Sequence, residues 1–86
     1  MRLTLALKQS AAHYPRRAAT IFEGRSRTYA EVLDRVSRLA AGLVALGAKP
    51  GDRIAILALN SDVYIEAYYA ILWAGCLAVQ IGRAHV

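Results

Sequence analysis

Apolar residues recur along this chain with two alternating periods. Leu3, Leu7, Ser10, Ala11 and Tyr14 stand at helical spacing, which predicts a short amphipathic helix ending before Pro15. Ala18-Ala19-Thr20-Ile21-Phe22 reads as a strand, Glu23-Gly24-Arg25 as a turn, and Ser26-Arg27-Thr28 as the returning arm of a hairpin. Thr28-Tyr29-Ala30-Glu31 has the Thr-x-x-Glu form of a capping box. Val32, Val36, Leu39, Leu43 and Leu46 then mark one face of a helix, widened by Leu33 and Ala40, while Glu31, Asp34, Arg35 and Arg38 lie mostly off it. Gly47 is placed to end that helix in the left-handed region, and Ala48-Lys49-Pro50-Gly51-Asp52 forms a turn.

The pattern changes in the second half. Arg53 to Leu59 is a nearly continuous apolar run, the mark of a strand covered on both faces, as in a parallel sheet. Asn60-Ser61-Asp62 supplies turn and cap candidates for a helix over Val63–Ala74, which carries one charge, Glu66, and is otherwise apolar nearly all round. Gly75 ends it, and Cys76-Leu77-Ala78-Val79 begins another strand. Strand, helix, strand is the order of a βαβ unit, so the fold class is α/β. The unit is incomplete: such a helix and so small a parallel sheet leave apolar surface uncovered.

With 86 residues the chain is one small domain or part of one, and a chain this short buries only roughly 60% of its unfolded surface. An apolar content of 57% excludes intrinsic disorder, and a single cysteine excludes an internal disulfide framework and a zinc ribbon. The net charge of +5 admits nucleic acid, an anionic membrane or a polyanionic substrate as partners. No aromatic–basic recognition motif accompanies it, which argues against nucleic acid and leaves at most peripheral membrane contact. The opening Met1–Leu7 begins like a signal peptide, but Lys8 and Gln9 interrupt it and Pro15-Arg16-Arg17 follows. The uncharged stretch from Ala67 to Ile81 is shorter than a bilayer span and is broken by Gly75. The expected location is cytoplasmic.

Candidate chemistry is sparse. Cys76 has no identifiable base and reads as a small buried hydrophobe. His13 lies where it can interact with a helix C-terminus. Tyr64, Tyr68 and Trp73 read as packing aromatics, with a channel wall in a larger enzyme as the alternative. Arg16, Arg17, Arg25 and Arg27 cluster around the hairpin and read as a solvated face, with phosphate or anionic-lipid contact as the alternative. Asp34 and Arg38 form an i,i+4 pair. Gly51 and Gly75 serve backbone geometry. No His, Cys, Asp and Glu set has metal-ligand spacing, and the glycines form no phosphate-cradling loop.

The order Pro15-Arg16-Arg17, Glu23-Gly24-Arg25, Thr28-Tyr29-Ala30-Glu31-Val32, Leu46-Gly47-Ala48-Lys49-Pro50-Gly51-Asp52-Arg53, Asn60-Ser61 and Trp73-Ala74-Gly75 resembles the N-terminal start of the adenylate-forming (AMP-binding) synthetases. Asn60-Ser61-Asp62 with Tyr64, and Tyr68-Tyr69 before Trp73, are most similar to the fatty-acyl-CoA ligase branch, although Leu72 stands where that branch often has proline. The resemblance implies an N-terminal piece (residues 1–80) of the large synthetase domain, arranged as helix, hairpin, helix and βαβ. It implies a parent enzyme that activates a carboxylic acid with ATP and Mg²⁺ as an acyl-adenylate and passes the acyl group to coenzyme A. The family's phosphate loop and catalytic lysine lie downstream of this stretch. No catalytic, cofactor-binding or metal residue is therefore expected in this chain, and its partner is the remainder of the parent enzyme. Ile81-Gly82-Arg83-Ala84-His85-Val86 is similar to the in-frame translation of a common short-read sequencing adapter, so residues 81–86 are expected to be a non-native tail. The competing expectation is a small stand-alone basic module that binds a membrane surface or a polyanion.

Overall fold

A computed structural model of the chain describes residues 2–56 and 62–80, with the side chains of Arg2, Leu3 and Gln80 outside the description. Its elements are α1 (Arg2–His13), β1 (Ala18–Phe22), β2 (Arg25–Thr28), α2 (Tyr29–Ala45), β3 (Arg53–Ile56), α3 (Asp62–Trp73) and β4 (Leu77–Gln80). The expected cap residues Asn60 and Ser61, the far end of the expected strand over residues 53–59, and the tail 81–86 lie outside the described residues.

β1 and β2 pair antiparallel with Phe22 opposite Arg25, leaving a two-residue turn. Both turn residues take positive φ, Glu23 at 49° and Gly24 at 78°, which matches the right-handed twist of a tight hairpin. An extra residue, Ala19, sits between the Ala18–Thr28 and Thr20–Arg27 pairs as a bulge.

The hairpin leads directly into α2, and the start of this helix is fully tied. Tyr29 N–H donates to the Arg17 carbonyl (2.9 Å) and Ala30 N–H to the Pro15 carbonyl (3.1 Å). Glu31 N–H donates to Thr28 Oγ1 (3.2 Å), and Thr28 N–H donates to the Glu31 carboxylate (2.7 Å), completing the capping box. These bonds satisfy the donors that a helix N-terminus leaves without intrahelical partners. The other end closes as a Schellman motif. Gly47, at φ 108°, donates to the Val44 carbonyl, and Ala48 N–H to the Leu43 carbonyl. α3 ends the same way: Gly75 (φ 81°) donates to Leu72 O and Cys76 N–H to Ile71 O.

Two apolar clusters hold the elements together. Leu7, Val32, Val36, Ala40 and Ala70 are buried where the three helices meet, with Tyr69 and Trp73 packed against them. Ala40 and Ala70 present only methyl groups, so α2 and α3 approach closely. Ile56, Ile71 and Cys76 form the second cluster beneath the parallel β3–β4 pair, with Ile54, Tyr64, Tyr68 and Ala78 around them. The βαβ reading and the α/β class therefore hold.

Three expectations change. β3 and β4 are covered on one face only among the described residues; Ala55, Leu77 and Val79 share the other and are exposed. The buried stripe of α2 runs through Val32, Val36 and Ala40, whereas Leu39 and Leu46 are exposed, Leu46 at 89%. Periodicity placed those leucines on the apolar face, but α3 crosses α2 over the Val36–Ala40 side. Finally, Asp62, expected as a cap candidate, is the first residue of α3, and it and Glu66 are among the most buried positions of that helix.

Candidate functional site

Those two acids organise the main polar feature of the described residues. One strand and one helix bring them their partners. β2 presents Arg25 and Arg27, two residues apart and so on one strand face, about 7 Å apart along the strand. α3 presents Asp62 and Glu66, four residues apart and so on one helix face, about 6 Å apart along the axis. The matched spacings form a ladder. Arg25 grips Asp62 with two bonds, Nε to Oδ2 at 2.8 Å and Nη2 to Oδ1 at 2.7 Å. Arg27 Nη1 donates to Asp62 Oδ2 (2.6 Å) and to Glu66 Oε2 (3.1 Å). Arg35 of α2 closes the ladder with Nε to Glu66 Oε1 at 2.8 Å. The Val63 N–H also donates to Asp62 Oδ1 (2.9 Å).

Both carboxylate side chains are completely excluded from solvent, Arg27 is 16% exposed, and Arg25 and Arg35 reach water at 54% and 44%. The Arg25 bonds, with the charge of Arg25 and Arg27, hold the Asp62 carboxyl below the usual aspartate range against the opposing effect of desolvation. The Asp62 bond and charge in turn raise Arg25 above the ordinary arginine value. Every carboxylate oxygen of the ladder accepts at least one bond from a guanidinium. Asp62 accepts two bonds at each oxygen and Glu66 one at each, and both side chains are shut away from solvent, so the ladder reads as structural.

The expected solvated arginine face is thus corrected. Arg25 and Arg27 are bound to buried acids. Arg16 and Arg17 are exposed, and the Arg17 guanidinium lies 4.6 Å from the centre of the Tyr14 ring. A signal for the ladder was present in the sequence: arginines at i,i+2 in a strand and acids at i,i+4 on an apolar helix. It was missed because the partners are 35 to 39 residues apart.

The other singled-out residues fall where packing puts them. Cys76 is buried, with its thiol donating to the Lys49 carbonyl at 3.3 Å. His13 donates from Nδ1 to the Gln9 carbonyl (2.9 Å), an interaction within the last turn of α1. Tyr64 and Tyr68 pack in one cluster and Trp73 in the other, where the Lys8 ammonium lies 4.8 Å from its ring centre. The aromatics are therefore divided between the two clusters. Asp34 and Arg38 pair at 3.2 Å on the surface.

Among the described residues the glycines form no phosphate cradle. Gly24, Gly47, Gly51 and Gly75 occupy separate turns, and the N–H groups of Gly47, Gly51 and Gly75 already donate to Val44, Gly75 and Leu72 carbonyls respectively. No set of three His, Cys, Asp or Glu residues among them is grouped to hold a metal ion. A groove of about 760 Å³ between α2, β3 and α3 is lined by Leu39, Gly42, Leu46, Ile54, Val63 and Ala67, with Arg35 and Arg38 at its rim. Its apolar lining is suited to covering by further protein. Among the described residues no helix is long and apolar enough to cross a membrane.

Comparison with known proteins agrees with this picture. A family model described as AMP-binding enzyme matches residues 7–85, and the chain belongs to that family. It is 43% identical over 67 residues to a feruloyl-CoA synthase from Amycolatopsis sp, covering 78% of this chain and 14% of that protein. It is 36% identical over 74 residues to a long-chain-fatty-acid–CoA ligase from Bacillus subtilis (strain 168), covering 86% of this chain and 13% of that one. A solved fatty acyl CoA synthetase from Mycobacterium tuberculosis superposes with a TM-score of 0.87 at 32% identity, covering 96% of this chain and 17% of that structure. The chain thus spans about a seventh of the curated relatives it matches, and its fold matches the N-terminal part of adenylate-forming enzymes.

Proposed function

We propose that this chain is the N-terminal structural segment of an ATP-dependent acid–thiol ligase. The parent enzyme converts a carboxylic acid and ATP to an acyl-adenylate and pyrophosphate, then transfers the acyl group to coenzyme A. The observation that carries the reading is the family match across nearly the whole chain, joined to a fold whose apolar groove and open sheet face call for further protein. The segment supplies none of the catalytic groups; Arg25, Arg27 and Arg35 are committed to Asp62 and Glu66. ATP, Mg²⁺ and coenzyme A act with residues of the remainder, in the cytoplasm.

A fatty acid is the substrate we infer, supported by the likeness to the Bacillus ligase and the mycobacterial synthetase. An aryl acid is the second reading, favoured by the likeness to the feruloyl-CoA synthase. The full-length gene product, assayed for thioester formation with coenzyme A against fatty, hydroxycinnamic and amino acids, separates them. Greatest turnover on a fatty acid supports the first reading, and greatest turnover on ferulate replaces it. The stand-alone basic module is disfavoured because Arg25 and Arg27 are held by Asp62 and Glu66.

A further inference from the structure

Asp62 and Glu66 are completely buried in a helix that is otherwise rich in apolar residues. Burying two carboxylates opposes folding, and well-packed apolar residues in place of a buried ionic group often give equal or greater stability. An ionic ladder instead supplies direction. A guanidinium fork meets a carboxylate in one plane and one register, whereas leucines tolerate sliding. We propose that Arg27, Asp62 and Glu66 form a conformational lock that fixes the β1–β2 hairpin at one position along α3, with Arg25 and Arg35 securing its two ends.

The geometry makes the wrong positions costly. Moving β2 by one residue turns Arg25 and Arg27 to the opposite strand face. Moving the hairpin one helical turn toward Glu66 pairs Arg25 with Glu66 and leaves Asp62 buried without a guanidinium. Arg27 is central because its Nη1 alone bridges the two acids, at 2.6 and 3.1 Å. The hairpin in turn holds α2, since the last residue of β2, Thr28, is the cap of α2. The lock therefore sets the mutual placement of β2, α2 and α3, the last two of which wall the groove.

Hydrogen–deuterium exchange by mass spectrometry on the full-length gene product tests this, and needs no ligase activity. Arg27→Met is expected to speed amide exchange over residues 18–28 by about tenfold, with residues 32–43 unchanged. Arg27→Lys, which keeps the charge and loses the fork, also exchanges faster there than the unmodified protein. The apolar triple variant Arg27→Met, Asp62→Leu, Glu66→Met is expected to unfold near the original temperature yet keep fast hairpin exchange. Unchanged hairpin exchange in Arg27→Met overturns the lock. So does a triple variant with the original hairpin protection, because shape alone then positions the hairpin. If Arg27→Met is insoluble, Arg27→Lys decides: unchanged exchange over residues 18–28 overturns the proposal.

Discussion

Val36 is the least exposed residue of the apolar core, sealed where α1, α2 and α3 converge. Replacing it by alanine removes two methyl groups and leaves a cavity that close-packed neighbours cannot fill. Val36→Ala is expected to destabilise the full-length protein by roughly 2 kcal/mol, measured by chemical denaturation. Asp62 is the charged counterpart. Arg25 holds its carboxyl below the ordinary aspartate value of 3.8, so the folded state favours the ionised form. That contribution is fully present above the unfolded-state value and is lost as pH falls through the lower folded-state value. Thermal melts from neutral pH down into the acid range should therefore show a large stability gap between the original protein and Asp62→Asn at neutral pH. The gap should narrow in the acid limb.

At the scale of elements, both ends of α2 were readable from local sequence. The Thr28–Glu31 box and Gly47 need only residues three to five apart, and local physics determines them. Thr28→Ala is expected to cost about 1 kcal/mol by removing the acceptor for the Glu31 N–H. Gly75→Ala tests the second Schellman motif. An added Cβ would meet Pro50 at an ordinary 3.8 Å, so the expected loss of about 1 kcal/mol comes from the positive φ alone. The long-range arrangements were less readable. Periodicity showed that α2 has an apolar face but not that α3 would choose its Val36–Ala40 side over Leu39 and Leu46. Arg25 and Arg27 looked like a solvated cluster because no local signal ties them to Asp62. Only the folded hairpin brings the i,i+2 arginines against the i,i+4 acids.

For the whole molecule, exposed apolar surface is the dominant feature. Leu39 on α2, Leu46 at its C-cap, Val63 and Ile65 on α3, and Leu77 and Val79 on β4 all reach solvent. A parallel sheet ordinarily has both faces covered, and the relatives are about seven times as long as the matched segment. The isolated 86-residue chain is therefore expected to bind a hydrophobic dye strongly and to unfold without a sharp transition, as read by dye fluorescence and near-ultraviolet circular dichroism. The α/β class and the incompleteness were both legible in the sequence, because a nearly all-apolar helix between two short strands has too few neighbours within the chain.

The most direct test of the central claim is carboxylate-dependent ATP–pyrophosphate exchange. It should be measured side by side on the full-length gene product and on the 86-residue chain. The account predicts exchange by the full-length protein with a suitable acid and none by the chain alone. Exchange catalysed by the chain alone, or its absence from the full-length protein with every class of carboxylic acid, would contradict it.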